Sequence, residues 1–189
     1  FAVCNFLGLY LELGDEKLLE LALRLVDQTH HVLGRHRPDD ARSGWISGLS
    51  EEEGAAHPTR GGLRIGKPLP ERGPDEGFDP SLEWERDGQY FHYLTRWMHA
   101  LERVARVTGD RRYHRFACEL AQAACAGFIR SIDGGPRRLL WKMSIDLGRP
   151  QIASTGQHDP LDGLITCQEL EASNAGDATL DLHPEIREL

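Results

Sequence analysis

The chain has 189 residues, 40% of them hydrophobic and 28% charged, with a formal net charge of −8. Such a mixture supports a packed core and excludes a disordered chain. The acidic balance disfavours a nucleic-acid partner, which needs a concentrated basic stripe to offset phosphates, and no run is apolar enough to cross a membrane.

The first predicted helix covers Ala2–Leu13 and stops at Gly14, because glycine takes the left-handed cap conformation at least cost. Asp15 caps a second helix that runs to about Leu33, with Leu18, Ala22, Leu25, Val26, Thr29 and Val32 on one face at a 3.6-residue period. So short a turn makes the two helices antiparallel neighbours. His30 and His31 close the second helix, where positive charge suits the helix dipole. From 34 to 86 periodicity vanishes among glycines, prolines and charges, as in a functional or disordered loop. Trp45, Phe78 and Trp84 favour a segment packed down as a lid or wall.

A third helix is expected from Asp87-Gly88-Gln89, with Asp87 as its N-cap and Tyr90, Leu94, Trp97, Met98, Leu101, Val104 and Ala105 along one stripe. Thr108-Gly109-Asp110 turns it into a fourth, whose Ala117, Ala121 and Ala124 let a neighbouring helix approach closely. A second long connection, 131–157, holds a short extended stretch over 138–145. Asp159 as N-cap, followed by Pro160, begins a fifth helix reaching about Ala172. Residues 174–177 repeat the Gly-Asp turn, and Pro184 argues against a clean helix beyond it.

The two clearest turns share the pattern [Thr/Leu]-Gly-Asp-x-x-[Tyr/Leu]-x-x-x-Ala at 13–22 and 108–117, displaced by 95 positions. Repeated helix, short turn, helix units separated by long loops form an array of hairpins. The pattern resembles the six-hairpin (α/α)6 toroid proteins, which include unsaturated glucuronyl hydrolases, other glycosidases and the N-acylglucosamine 2-epimerase group. The resemblance implies an all-α chain forming an incomplete toroid, with the helix before each short turn inside and the helix after it outside. Long loops would then surround a funnel that binds a small-molecule sugar or sugar acid. One domain, 1–189, is expected, as a piece of a longer array. Its end hairpins would leave Leu7, Leu11 and Leu164 partly uncovered and favour a homo-oligomer.

Candidate chemistry therefore lies at the starts of the third and fifth helices. Residues 83–92 crowd carboxylates, an aromatic platform and an imidazole together: Glu85, Asp87 and His92 as acid-base groups, Trp84 and Gln89 as sugar contacts. Residues 154–163 add His158 and Asp162 as further acid-base groups. Trp141 offers a second flat face, and Arg64 with Lys67 could grip a carboxylate. His92, Arg96 and His99 share a helix face, but no third ligand stands at a recognisable spacing, so no metal is expected. No dinucleotide fingerprint or phosphate loop occurs, so no cofactor is expected either. Cys4, Cys118, Cys125 and Cys167 show no C-x-x-C spacing and read as buried free thiols in a reducing, cytoplasmic setting. The sequence thus points to a carbohydrate-active enzyme that hydrolyses a glycosidic bond or epimerises a sugar. The rival is a non-catalytic helical scaffold.

Overall fold

A computed structural model describes residues 1–132 and 134–189. It is mostly helical: α1 Ala2–Leu13, α2 Glu16–Leu33, α3 Glu51–Ala56, α4 Pro80–Glu85, α5 Phe91–Thr108, α6 Arg111–Phe128, α7 Asp159–Ser173 and α8 His183–Glu188. Short strands are β1 Gln89–Tyr90, β2 Ile129–Ser131, β3 Arg137–Leu139, β4 Lys142–Met143 and β5 Pro150–Ile152. The extended stretch expected over 138–145 falls on β3 and β4. Position 133, within the second long connection, lies outside the described residues.

The Gly-Asp turns form as the backbone rules require. Gly14 and Gly109 take φ of 67° and 73°, and Asp15 and Asp110 accept from the amides of Lys17 and Arg112. Helix α5 packs on α1, α6 and α7. Its bonds to α7 keep an almost constant register: Arg96 to Asp162 at 3.1 Å, His99 to Thr166 at 3.1 Å and Arg106 to Ser173 at 3.1 Å. The two helices are therefore parallel and start at the same end. Helix α8 runs back along α7, with the Leu182 amide on Glu171 at 2.8 Å and Leu189 beside Gly163. Pro184 sits in the first turn of α8, where its missing N–H costs nothing, so a short helix does follow the third turn.

The result is a row of α1, α5 and α7 backed by α2, α6 and α8. Ala117, Ala121 and Ala124 are fully buried where α6 meets the rest of the core, alongside Leu101, Leu120 and Phe128. Each of the large side chains there contributes about 1.5–3 kcal/mol by leaving water. Leu7, expected at a raw edge, is instead completely buried; Leu164 is half-buried, and Leu11 stays 60% exposed. All four cysteines are free, and three of them are buried.

Asp87 does not cap α5. That helix starts four residues later, and Asp87 is completely buried, with Arg64 at 2.9 Å, Arg37 at 3.2 Å and the amides of Gly66 and Gly88 at 2.8 and 3.0 Å. Four nearby polar groups thus close the 34–86 connection on itself. The segment is pinned by charge rather than by aromatic packing: Trp45 is buried, but Phe78 and Trp84 are exposed. A second buried ion pair, Lys142 to Glu83 at 2.9 Å with Arg72 at 3.0 Å on the same carboxylate, ties α4 to β4. Gln89 completes the join, accepting from the Leu63 amide at 2.8 Å and donating to the carbonyls of Gly61 and Ile145. Strand β4 lies between β1 and β5, antiparallel to both, so both long connections meet at the start of α5.

His30 departs from the role its position suggests. It is buried between α2, α5 and α6, accepts from the Trp97 indole at 3.1 Å and sits edge-on to Phe116. Burial pushes its pKa down to about 4, so it is neutral rather than a dipole-stabilising charge.

Two stability predictions follow from these buried groups. Asp87→Asn leaves the buried Arg64 guanidinium without its charge partner and Arg37 with Asp39 alone, and should cost about 3–5 kcal/mol in urea unfolding; a loss under about 1 kcal/mol would contradict the anchoring role. Because the folded His30 binds its proton only near pH 4 while the unfolded residue does so near 6.5, stability should fall as pH drops through that window. The full loss is about 3 kcal/mol. His30→Gln should flatten this pH dependence, measured as the urea midpoint at pH 7 and pH 4.5.

Candidate functional site

At the shared starting end of α5 and α7 the chain builds an aromatic shelf. Tyr90 ends β1, and His92 and Tyr93 lie in the first turn of α5. Trp141 sits between β3 and β4, its carbonyl accepting from the Phe91 amide and its amide donating to the Ser154 carbonyl. Trp84 comes from α4, which Asp79 caps through the amides of Ser81 and Leu82. The ring centroids lie 6.3 Å apart for Trp84 and Trp141, 5.3 Å for Tyr90 and Trp141, and 4.3 Å for His92 and Tyr93. Trp84 and Tyr93 remain 58% and 53% exposed, so two faces of the shelf are open to a ligand. The Lys67 ammonium stands 4.9 Å from the Trp84 ring, a cation–π contact that leaves its charge available.

The shelf continues into a cavity of about 360 Å³ bordered by Val3, Leu33, Leu63, Tyr90, Tyr93 and Trp97. A wider recess of about 550 Å³ opens between α2 and α6 around His31 and Arg112. The shelf is the stronger candidate because unusual ionisable groups gather beside it.

The Trp141 indole donates to Nδ1 of His92 at 3.3 Å, so that nitrogen carries no proton and the neutral ring holds its hydrogen on Nε2. Burial lowers the pKa of His92, and the Asp159 charge only partly opposes this. Asp159 is 7% exposed, and its Oδ2 has no hydrogen-bond partner. Burial raises its pKa, Asp162 adds to the rise, and His92 and His158 oppose it. Asp159 does not serve as the N-cap expected of it: α7 begins at Asp159 itself, and His158 occupies the cap position without a side-chain bond. Within the shelf burial also raises Tyr90, to about 12, and behind it burial lowers Lys142.

The residues singled out from sequence divide into three groups. Trp84, His92 and Trp141 come together in the shelf. His158 is exposed and Asp162 half-buried at the start of α7, with Asp162 paired to Arg96, while Glu85 is exposed at the end of α4. Asp87, Arg64 and Gln89 are committed to the fold. Arg64 spends its guanidinium on Asp87 and on the carbonyls of Arg35 and Val32, and so does not reach for a ligand. Sequence reasoning passed over Asp159, Tyr90 and Tyr93. The tyrosines carried a usable signal, three positions apart beside His92, whereas Asp159 before a proline reads as an ordinary helix start.

Among the described residues one group of possible metal ligands occurs, Glu171, Asp181 and His183, with ligand atoms within 4.8 Å of one another. It lies at the Gly-Asp turn end, away from the shelf, and local bonds account for it: His183 meets Asp181 at 2.6 Å. Comparison with protein-family models, curated proteins and solved structures finds no match to this chain.

The Trp141 bond holds His92 in its unprotonated form. Trp141→Phe should therefore raise the His92 midpoint, read by NMR, by about 0.7 pH units for one lost hydrogen bond. A midpoint that stays put or falls would show that the indole does not set the tautomer.

Proposed function

We propose that this chain is part of a carbohydrate-active enzyme, a glycoside hydrolase or sugar epimerase, and that its hairpins form an incomplete (α/α)6 toroid. The inner row would be α1, α5 and α7, with the site at their N-terminal ends. The observation that carries the functional reading is the open aromatic shelf with a neutral imidazole and a buried, unpaired carboxyl beside it. Flat aromatic faces suit the apolar side of a sugar ring, and groups with displaced pKa values suit proton transfer. The parallel N-termini of α5 and α7 and the Lys67 ammonium favour an acidic sugar over a neutral one.

A non-catalytic scaffold that binds its ligand on the same shelf is the rival, and the commitment of Asp87, Arg64 and Gln89 to the fold favours it. The two readings separate on turnover. A panel of neutral and uronic-acid sugars, titrated against tryptophan fluorescence, tests binding, and release of product from their glycosides tests catalysis. Trp84→Ala should weaken sugar binding about 10-fold or more, since a stacked ring is worth at least 1 kcal/mol. Its melting temperature should stay within about 2 °C, as expected for an exposed side chain. Unchanged affinity in this variant would remove the shelf from the site.

A further inference from the structure

We propose that Asp159 is the proton donor of this site, delivering its carboxyl hydrogen to the oxygen of the bond being broken. The proposal rests on the carbohydrate-active reading and names the residue that performs its acid step.

The geometry comes from the helix register. Arg96–Asp162, His99–Thr166 and Arg106–Ser173 pair α5 with α7 at separations of 66, 67 and 67 positions. Carried one turn further toward the N-termini, the same register sets Asp159 level with His92, at the edge of the shelf. The carboxyl rests against Gly156, and a Cβ at that position would collide with both of its oxygens. Glycine is what lets the carboxyl lie there.

The second observation is what Asp159 lacks. A buried carboxylate with no hydrogen bond pays the full cost of desolvation, so such groups are either protonated or paired. The other deeply buried carboxylates of the two loops are paired, Asp87 with two arginines and Glu83 with Lys142 and Arg72. Asp159 faces His92 on α5 and His158 and Asp162 at the start of its own helix, and Arg96 stands by His92. None of them bonds to it, and Arg96 is engaged by Asp162. Burial therefore holds Asp159 toward its protonated form, the state an acid catalyst must start from.

In the hydrolytic step the Asp159 hydrogen passes to the glycosidic oxygen while the bond from that oxygen to the anomeric carbon breaks. The oxygen keeps the electron pair and leaves as an alcohol. Water then bonds to the cationic anomeric carbon and returns one hydrogen to the Asp159 carboxylate. The sum is one glycoside and one water converted to two hydroxyl compounds, with Asp159 restored. His92 acts as a positioning residue: its Nε2 hydrogen is free to hold a sugar hydroxyl or the carboxylate formed midway.

The test compares Asp159→Asn with the unaltered full chain on two sets of glycosides, one with 2,4-dinitrophenyl and one with methyl leaving groups. A good leaving group departs without a proton, and a poor one does not. Turnover of the methyl glycosides should fall about 100-fold or more, and turnover of the dinitrophenyl glycosides far less, with the melting temperature unchanged or raised. Gly156→Ala, which dislodges the carboxyl without removing it, should show the same split. Equal loss on both sets, or no loss on either, overturns the acid role and leaves the carbohydrate reading standing. If the unaltered chain neither binds sugars on the shelf nor cleaves any glycoside, that reading falls and the acid role falls with it.

Discussion

Everything at the polar end of this molecule depends on one buried carboxylate. Asp87 has no exposed surface and is held by Arg64, Arg37 and two backbone amides. Charges are removed from water at a cost of several kcal/mol each, which geometry this close and bonds this complete can offset. With Asp87 fixed, Gly88 and Gln89 follow at once, and β1 pairs with β4 through Gln89 and Tyr90. That pairing sets where Trp141 lies and therefore where the shelf stands. A segment of about fifty residues with no helical periodicity is ordered by a few ion pairs rather than by a core of its own.

The two ends of the hairpins divide the work. At one end, glycine in the left-handed conformation and an aspartate cap turn the chain in the fewest residues and leave no room for a site. At the other, the chain must travel from the back row to the front row, and the long connections it needs carry Trp45, Trp84 and Trp141 and the buried ion pairs of Asp87 and Glu83. The apolar rows between provide rigidity, so the loops need only hold their own geometry.

The helical layout was legible because its signals are local. Gly14-Asp15 and Gly109-Asp110 state their turns within two residues, and the 3.6-residue stripes of α2, α5 and α6 follow from composition along one segment. The site was legible only in part. Trp84, His92 and Trp141 were found because aromatic and imidazole groups stand out in polar loops. Asp87 was read as an N-cap or acid-base group, and Arg64 and Gln89 as ligand contacts, because nothing local shows that Arg64 lies 2.9 Å from a carboxylate 23 positions away. His30 was read as a charge favourable at a helix C-terminus for the same reason: its partner Trp97 is 67 positions distant. Charge pairing and burial across long separations are properties of the fold, and a single sequence carries no local trace of them.

Asp87 and Asp159 make the point from opposite sides. Each stands just before a run of helical residues at the start of a front-row helix, and each is equally plausible as an N-cap. Neither is one. Asp87 is satisfied four times over, and its chemistry is spent on holding the loop; placing a ligand there would mean breaking the anchor. Asp159 is nearly as buried and has nothing on Oδ2. The same side chain is structural where its charge is matched and available for chemistry where it is not, so the search for a reaction at the shelf begins from the unpaired carboxyl beside it.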